Sequence, residues 1–276
     1  MHTHYCDGGA EPVKYVQEAI RQKLTSLGFS AHAPVHFETN WAMPINKFNN
    51  YVDEINALKN EFQSQLQIYL GLEIDYFPDN ISFTRDILNA STFDYFIGSV
   101  HFVDFYPDGR RWTIDGSNEE FRKGFKEIFK NDAIEVTRKF FEYNRKMITD
   151  LHPPVIGHID KLKMQHRDDC FIAEDHPVFR EELLKTLAVA QQAGSIVEIN
   201  TRGIYKKRGD TFYPGQDVFK EMNNIGVKVI VNSDAHLPHE ITGEFDKAFF
   251  ALHNAGYKYH YMLIDNEFKQ VEIPGK

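Results

Sequence analysis

The sequence predicts a parallel α/β barrel whose chemistry sits at the C-terminal ends of its strands, and three observations carry that prediction. Helical and strand-like segments alternate along the whole of the 276 residues. Residues of metal-ligand type stand just after the apolar strand-like runs rather than before them. No low-complexity linker or compositional break divides the chain, so residues 1–276 read as one barrel-sized domain.

The elements follow in order. His2-Thr3-His4 comes directly after Met1 and gives a very short first strand, from which two imidazoles leave the same face. Pro12 to Leu24 is helical, with Val13, Val16, Ile20 and Leu24 on one side, and Leu27-Gly28-Phe29-Ser30 then leads to His32. Ile45 to Phe62 is a second helix before the strand Leu66 to Leu72, which ends at Glu73. Ile81 to Leu88 is a short helix, and Tyr95 to Val100 runs into His101. One long helix from Glu119 to Met147 precedes Pro154-Val155-Ile156-Gly157 and His158. Val178 to Ala193 is helical, and Ser195 to Ile199 ends at Asn200. Val218 to Asn224 comes before Val227 to Val231, which delivers Asn232, Asp234 and His236. Phe245 to Asn254 is the last helix, followed by the apolar run Tyr259 to Ile264. The stretch from Asp104 to Ser117, with Pro107-Asp108-Gly109, reads as an insertion over the site. Parallel strands need crossover connections, which these helices supply. The number of units favours closure into a barrel, whose C-terminal rim carries the chemistry.

Composition narrows the class. A formal charge of −9 argues against a general nucleic-acid binder, which would carry a basic face. It leaves an anionic substrate open, because bound cations would dominate the local field. Cys6 and Cys170 are too few for a disulfide framework, which points to reduced thiols and a cytoplasmic setting. No apolar run reaches membrane-spanning length, and no basic-then-apolar signal peptide opens the chain. Nothing in the sequence fixes an oligomeric state.

A single histidine is most often a surface or satisfied core residue, and His-x-His arises by chance on any strand. Asp234-Ala235-His236 after Val-Ile-Val-Asn-Ser is a stronger signal. Glu73 directly follows Leu70-Gly71-Leu72, where a carboxylate is costly unless paired or metal-bound. Independent solvated histidines would not keep the phase that places His32, Glu73, His101, His158, Asp234 and His236 after strands. The set reads as a multinuclear metal hydrolase, and its mixed nitrogen and oxygen donors suit Zn, Mn or Fe. The remaining His36, His152, His166, His176, His239, His253 and His260 read as structural or surface residues, His239 standing nearest to a candidate ligand.

Taken together, His2-Thr3-His4, Phe29-Ser30-Ala31-His32-Ala33-Pro34, Gly71-Leu72-Glu73, Gly98-Ser99-Val100-His101-Phe102, Gly157-His158-Ile159-Asp160 and Asn232-Ser233-Asp234-Ala235-His236 resemble the PHP (polymerase and histidinol phosphatase) superfamily in order and spacing. Ser99-Val100-His101-Phe102 and Val197-Glu198-Ile199-Asn200-Thr201 are most similar to its histidinol-phosphate phosphatases. The resemblance runs from His2 to at least His236. It implies a distorted (β/α)7 barrel with two or three divalent metals at the C-terminal rim. Carried over, His2, His4, Glu73 and Asp234 would hold one metal, and Glu73 would bridge to a second held by His101 and His158. His32 and His236 would hold a third. Two departures stand out. Ala31 replaces an acidic residue common before the second-strand histidine, and the loop after His-x-His is shortened to Tyr5-Cys6-Asp7-Gly8-Gly9. Asp7 is the replacement ligand expected for the third metal, ahead of Cys6 and Glu11.

The chemistry so implied is phosphate-monoester hydrolysis, which calls for up to ~10²¹-fold acceleration. A metal pair lowers the pKa of bound water towards ~7 and neutralises phosphate oxygens, so attack by metal-bound hydroxide is expected, with Glu73 and His101 in the catalytic centre. Asp234 or His236 would relay the leaving-group proton. Lys161 and Lys163 follow His158, Arg202 follows Asn200, and Arg110 and Arg111 sit on the insertion. Of these, Arg202 and Lys163 are ranked first for the phosphate. Asp104, Tyr106, Asp108 and Trp112 are placed to meet an ammonium and imidazole. L-histidinol phosphate is the leading substrate. Another small phosphate ester or nucleotide and a non-catalytic metal-stabilised module are the alternatives.

Overall fold

A computed structural model describes residues 1–165, 171–207 and 210–274. After α1 (Pro12–Arg21), β1 (Ser26–His32) and α2 (Phe48–Glu61) come β2 (Gln67–Asp75), α3 (Ile81–Asn89) and β3 (Tyr95–Ser99). A hairpin of β4 (Phe102–Phe105) and β5 (Arg111–Thr113) precedes α4 (Asn118–Glu127), α5 (Ala133–Leu151) and β6 (Val155–Ile156). Next are α6 (Pro177–Ala193), β7 (Ile196–Asn200), α7 (Arg202–Tyr205), α8 (Phe219–Asn224) and β8 (Lys228–Asn232). The last elements are α9 (Phe245–Asn254), β9 (Tyr259–Ile264) and β10 (Glu267–Glu272).

Six strands form one parallel sheet in the order β1-β2-β3-β6-β7-β8. The sheet curls into a half-barrel, and the first residues span its two ends. Ser30 N donates to Met1 O at 3.1 Å, while His2 N donates to Ala235 O at 2.9 Å beyond β8. Tyr95 fills the interior and lies so close to Gly28 and Gly71 that a Cβ at either would stand 2.4 or 2.6 Å from its ring atoms or hydroxyl. Only glycine leaves room for that crossing.

Three expectations change. The α/β barrel class holds, as a curled parallel half-barrel of six strands among the described residues; what changes is His2-Thr3-His4, expected as a short first strand, which enters a tight turn. In that turn, Cys6 N and Gly8 N both donate to Thr3 O at 3.0 Å. The predicted Glu119–Met147 helix is two helices. Lys130 and Asn131 take left-handed φ of 51° and 64°, and the Asp132 side chain caps the restart by accepting from Ile134 N and Glu135 N. The Tyr259–Ile264 run is a strand, but it pairs antiparallel with β10 through Asp265-Asn266, whose φ of 53° and 62° suit a two-residue hairpin turn. Gln67 at the start of β2 holds that hairpin through Asp265 at 3.0 Å, so it covers the end opposite the ligand-bearing rim. No helix among the described residues is long and apolar enough to cross a membrane. Cys170 and His166 lie outside the described residues.

Candidate metal centre

Parallel pairing explains why the ligand-type residues meet. His32 ends β1 and stands in register with Glu73 on β2, so the two side chains share a face. His101 and His158 follow β3 and β6, and Asp234 and His236 follow β8. Asp234 adopts a left-handed φ of 51°, turning the chain back over the rim.

Glu73 is the centre of the arrangement. Its Oε2 lies 3.2 Å from His2 Nε2 and 3.7 Å from His32 Nδ1. Its Oε1 lies 3.0 Å from His158 Nε2 and 3.7 Å from His101 Nε2. One carboxylate therefore faces two separate sets of imidazole nitrogens. Asp234 Oδ1 is 3.1 Å from the same His2 nitrogen, and Asp7 Oδ2 is 3.1 Å from His236 Nε2. Donor atoms of His2, Asp7, His32 and His236 group within 4.8 Å, as do those of His32, Glu73 and His101.

A second layer aims these groups. Asp75 Oδ1 accepts from both the backbone N–H of His101 (3.1 Å) and its ring Nδ1 (2.9 Å). That contact aims His101 Nε2 at the cluster. Ser99 Oγ donates to Glu73 Oε1 at 2.6 Å. Glu240 Oε2 accepts from His236 N at 2.9 Å and Leu237 N at 3.1 Å. Burial disfavours charge on Glu73, yet His32, His158 and His2 hold its carboxyl well below the usual range. Asp234 is likewise lowered against its burial, by Arg202 and His2. Burial and the neighbouring His2 push His32 down to about 3.

These residues fit divalent cations. His32 Nδ1 is buried without a hydrogen-bond partner. His101 Nε2 and His158 Nε2 face each other at 3.2 Å, and His158 Nε2 lies 3.0 Å from Glu73 Oε1. Converging lone pairs beside carboxylates are what a cation resolves.

The structure thus gathers His2, Asp7, His32, Glu73, His101, His158, Asp234 and His236, and it leaves other candidates apart. His4 is exposed and packs on Tyr5 at 4.3 Å, because the tight turn breaks the strand alternation that would have aimed it inward. Lys163 points into the protein, paired with Asp160 at 2.9 Å and Glu174 at 3.1 Å. Arg110 is exposed at the tip of the β4–β5 hairpin, 2.8 Å from Asp108 and over the Tyr106 ring. Trp112 is buried in the core and Asp104 pairs with Lys139, so neither reaches the rim cavity. Arg202 does line that cavity, with one guanidinium nitrogen donating to Asp234 O at 2.7 Å.

The cavity, of about 150 Å³, is also lined by Trp41, Asp115 and Lys161. Lys161 Nζ is buried 3.0 Å from Asp115 Oδ2. It takes the place expected of Lys163 because the chain turns into a short 3-10 helix there. Asp75 was legible in principle, since Glu73-Ile74-Asp75 puts both carboxylates on one face of a strand. Asp115 and Trp41 come from loops with no local signal.

A curled parallel α/β sheet with imidazoles and carboxylates converging at its C-terminal rim defines a metal-dependent hydrolase. The PHP domain family model matches residues 1–202, and the chain belongs to that family. It is 29% identical to the "Probable histidinol-phosphatase" of Schizosaccharomyces pombe, over 87% of this chain and 81% of that one. A solved Listeria monocytogenes structure superposes with a TM-score of 0.77 at 24% identity, covering 89% of this chain and 97% of the other. The Lactococcus lactis histidinol phosphate phosphatase, solved with Zn, L-histidinol and phosphate, gives 0.74 at 20% identity, covering 98% and 97%.

Proposed function

We propose that the protein hydrolyses L-histidinol phosphate to L-histidinol and phosphate, with residues 1–276 acting as one catalytic unit. The observation that carries this reading is the Glu73 carboxylate, whose two oxygens face two imidazole sets beneath a cavity edged by cations. Relatives named histidinol-phosphatase, and the Lactococcus lactis structure with Zn, L-histidinol and phosphate, support the substrate.

His101, His158 and Glu73 would hold one divalent ion, and His2, Asp234 and Glu73 a second. Asp7, His32 and His236 would hold a third, with Zn, Mn or Fe as candidates. When bound, such ions lower the pKa of water towards ~7 and neutralise phosphate oxygens. The chain's own residues do the rest. Lys161 and Arg202 line the cavity and attract the phosphate dianion. Asp115 holds the Lys161 ammonium in place, and the buried Asp75 and Ser99 keep His101 and Glu73 aimed. Asp234 and His236 enter as ligands.

The test is phosphate release from L-histidinol phosphate by metal-replete protein, beside nucleotides, sugar phosphates and other amino-alcohol phosphates. A kcat/KM preference for histidinol phosphate is expected. Equal hydrolysis of the whole panel would reject the substrate, and no hydrolysis with any metal would reject the enzyme.

A further inference from the structure

One buried carboxylate below the cluster takes no part in this scheme. Glu198, at the middle of β7, is 3% exposed. Its Oε2 accepts from the backbone N–H of His158 at 2.9 Å and from Asn200 Nδ2 at 3.0 Å, and its Oε1 accepts from Asn232 Nδ2 at 2.9 Å. The three donors belong to the ends of three adjacent strands, β6, β7 and β8. Asn200 Nδ2 also reaches Asp234 Oδ2 at 3.2 Å, and Asn200 Oδ1 accepts from Arg202 N at 2.9 Å. From one position Glu198 thus stands behind His158, behind Asp234 and behind the cavity cation Arg202. Apolar Ile97, Val155, Ile230 and Val231 line the same interior. An apolar residue would fill the position without the cost of burying a charge, so packing alone does not account for a carboxylate here.

We propose that Glu198 is a positioning residue of the metal centre. Through the His158 backbone and Asn200 it fixes the donor atoms of His158 and Asp234. Cation affinity then depends on a side chain that touches no cation.

Glu198→Leu removes the acceptors at similar volume, and they are restored by Glu198→Gln. Its amide oxygen can still accept from His158 and Asn200, and its amide nitrogen can donate to Asn232 once that amide is flipped. The measurement is the Zn²⁺ and Mn²⁺ dissociation constants by competition with a chromophoric chelator, beside the thermal midpoint of the metal-free proteins. Glu198→Leu is expected to weaken metal binding about 10- to 100-fold, the range of outer-layer partners, while Glu198→Gln stays near the wild type in affinity and in metal-free midpoint. Val197→Ala loosens the same strand on its other face; it is expected to lower that midpoint and leave metal affinity unchanged. Wild-type affinity in Glu198→Leu, or equal weakening in Val197→Ala, overturns the role and leaves Glu198 a structural tie. A wild-type protein that binds neither metal overturns the metal-centre reading itself, and this role with it.

Discussion

His101 and His158 are 1% and 3% exposed, and behind each lies a buried carboxylate, Asp75 for one and Glu198 for the other. Asp7 and His236 sit at the open side of the same cluster. Asp7 rides on a tight turn, and the side-chain partners recorded for it are cluster histidines, His236, His2 and His32. His236 has its backbone pinned by Glu240, while its ring Nδ1 faces the carbonyl of Asp234. The inner half is therefore aimed by the protein before any cation arrives, whereas the outer half acquires much of its geometry from the cation. Preorganised donors lose less freedom on binding, so the inner half should bind tightly and the outer half exchange.

The sharpest way to break this contrast is at Glu73, which belongs to both halves. Glu73→Gln should lower kcat/KM for histidinol phosphate on the order of 10³-fold, since it removes charge stabilisation at the reacting centre; steady-state kinetics at saturating metal check it. Within the inner half, Asp75→Asn frees the His101 ring and should cost about 10- to 100-fold in metal affinity or activity. Rescue of activity by excess metal would locate that loss in binding. In the outer half, Asp7→Ala should cost about 10-fold, the low end of the same range, and dialysis should show its metal leaving first. An Asp7 variant more damaging than Asp75→Asn would invert the comparison. The smallest effect on activity is expected at Lys163, outside both halves. Lys163→Met leaves Asp160 buried without its cation and should destabilise the fold by about 3–5 kcal/mol. Histidinol phosphate KM and kcat, read at a temperature where the variant is folded, should stay near wild type.

Much of this was legible because strand ends are legible. Apolar runs that stop at His32, Glu73, His101, His158 and Asp234 reveal both the parallel sheet and its active rim. What the sequence concealed lies where periodicity fails. His2-Thr3-His4 has the alternation of a strand, but the chain turns at Thr3, so His4 leaves the cluster, while Asp7, expected as the replacement ligand, faces His236. Lys163 and Lys161 are equivalent by position, and only the turn into a 3-10 helix decides which one lines the cavity. Arg110 lies on the insertion, but the hairpin points it to solvent, and Asp115 reaches the rim instead. The break at Lys130-Asn131 is a matter of two left-handed residues inside an unbroken amphipathic pattern.

The central claim is that Glu73 joins two metal sites through its two oxygens, and metal content tests it most directly. Wild-type and Glu73→Gln proteins would be equilibrated with the same Mn²⁺ concentration, freed of excess ion, and analysed for bound metal per chain by mass spectrometry. The wild type should hold at least about two ions, as a bridged site requires. The variant should lose more than one of them, because both sites share the missing carboxylate. Retention of the wild-type content, or loss of a single ion only, would contradict the bridge.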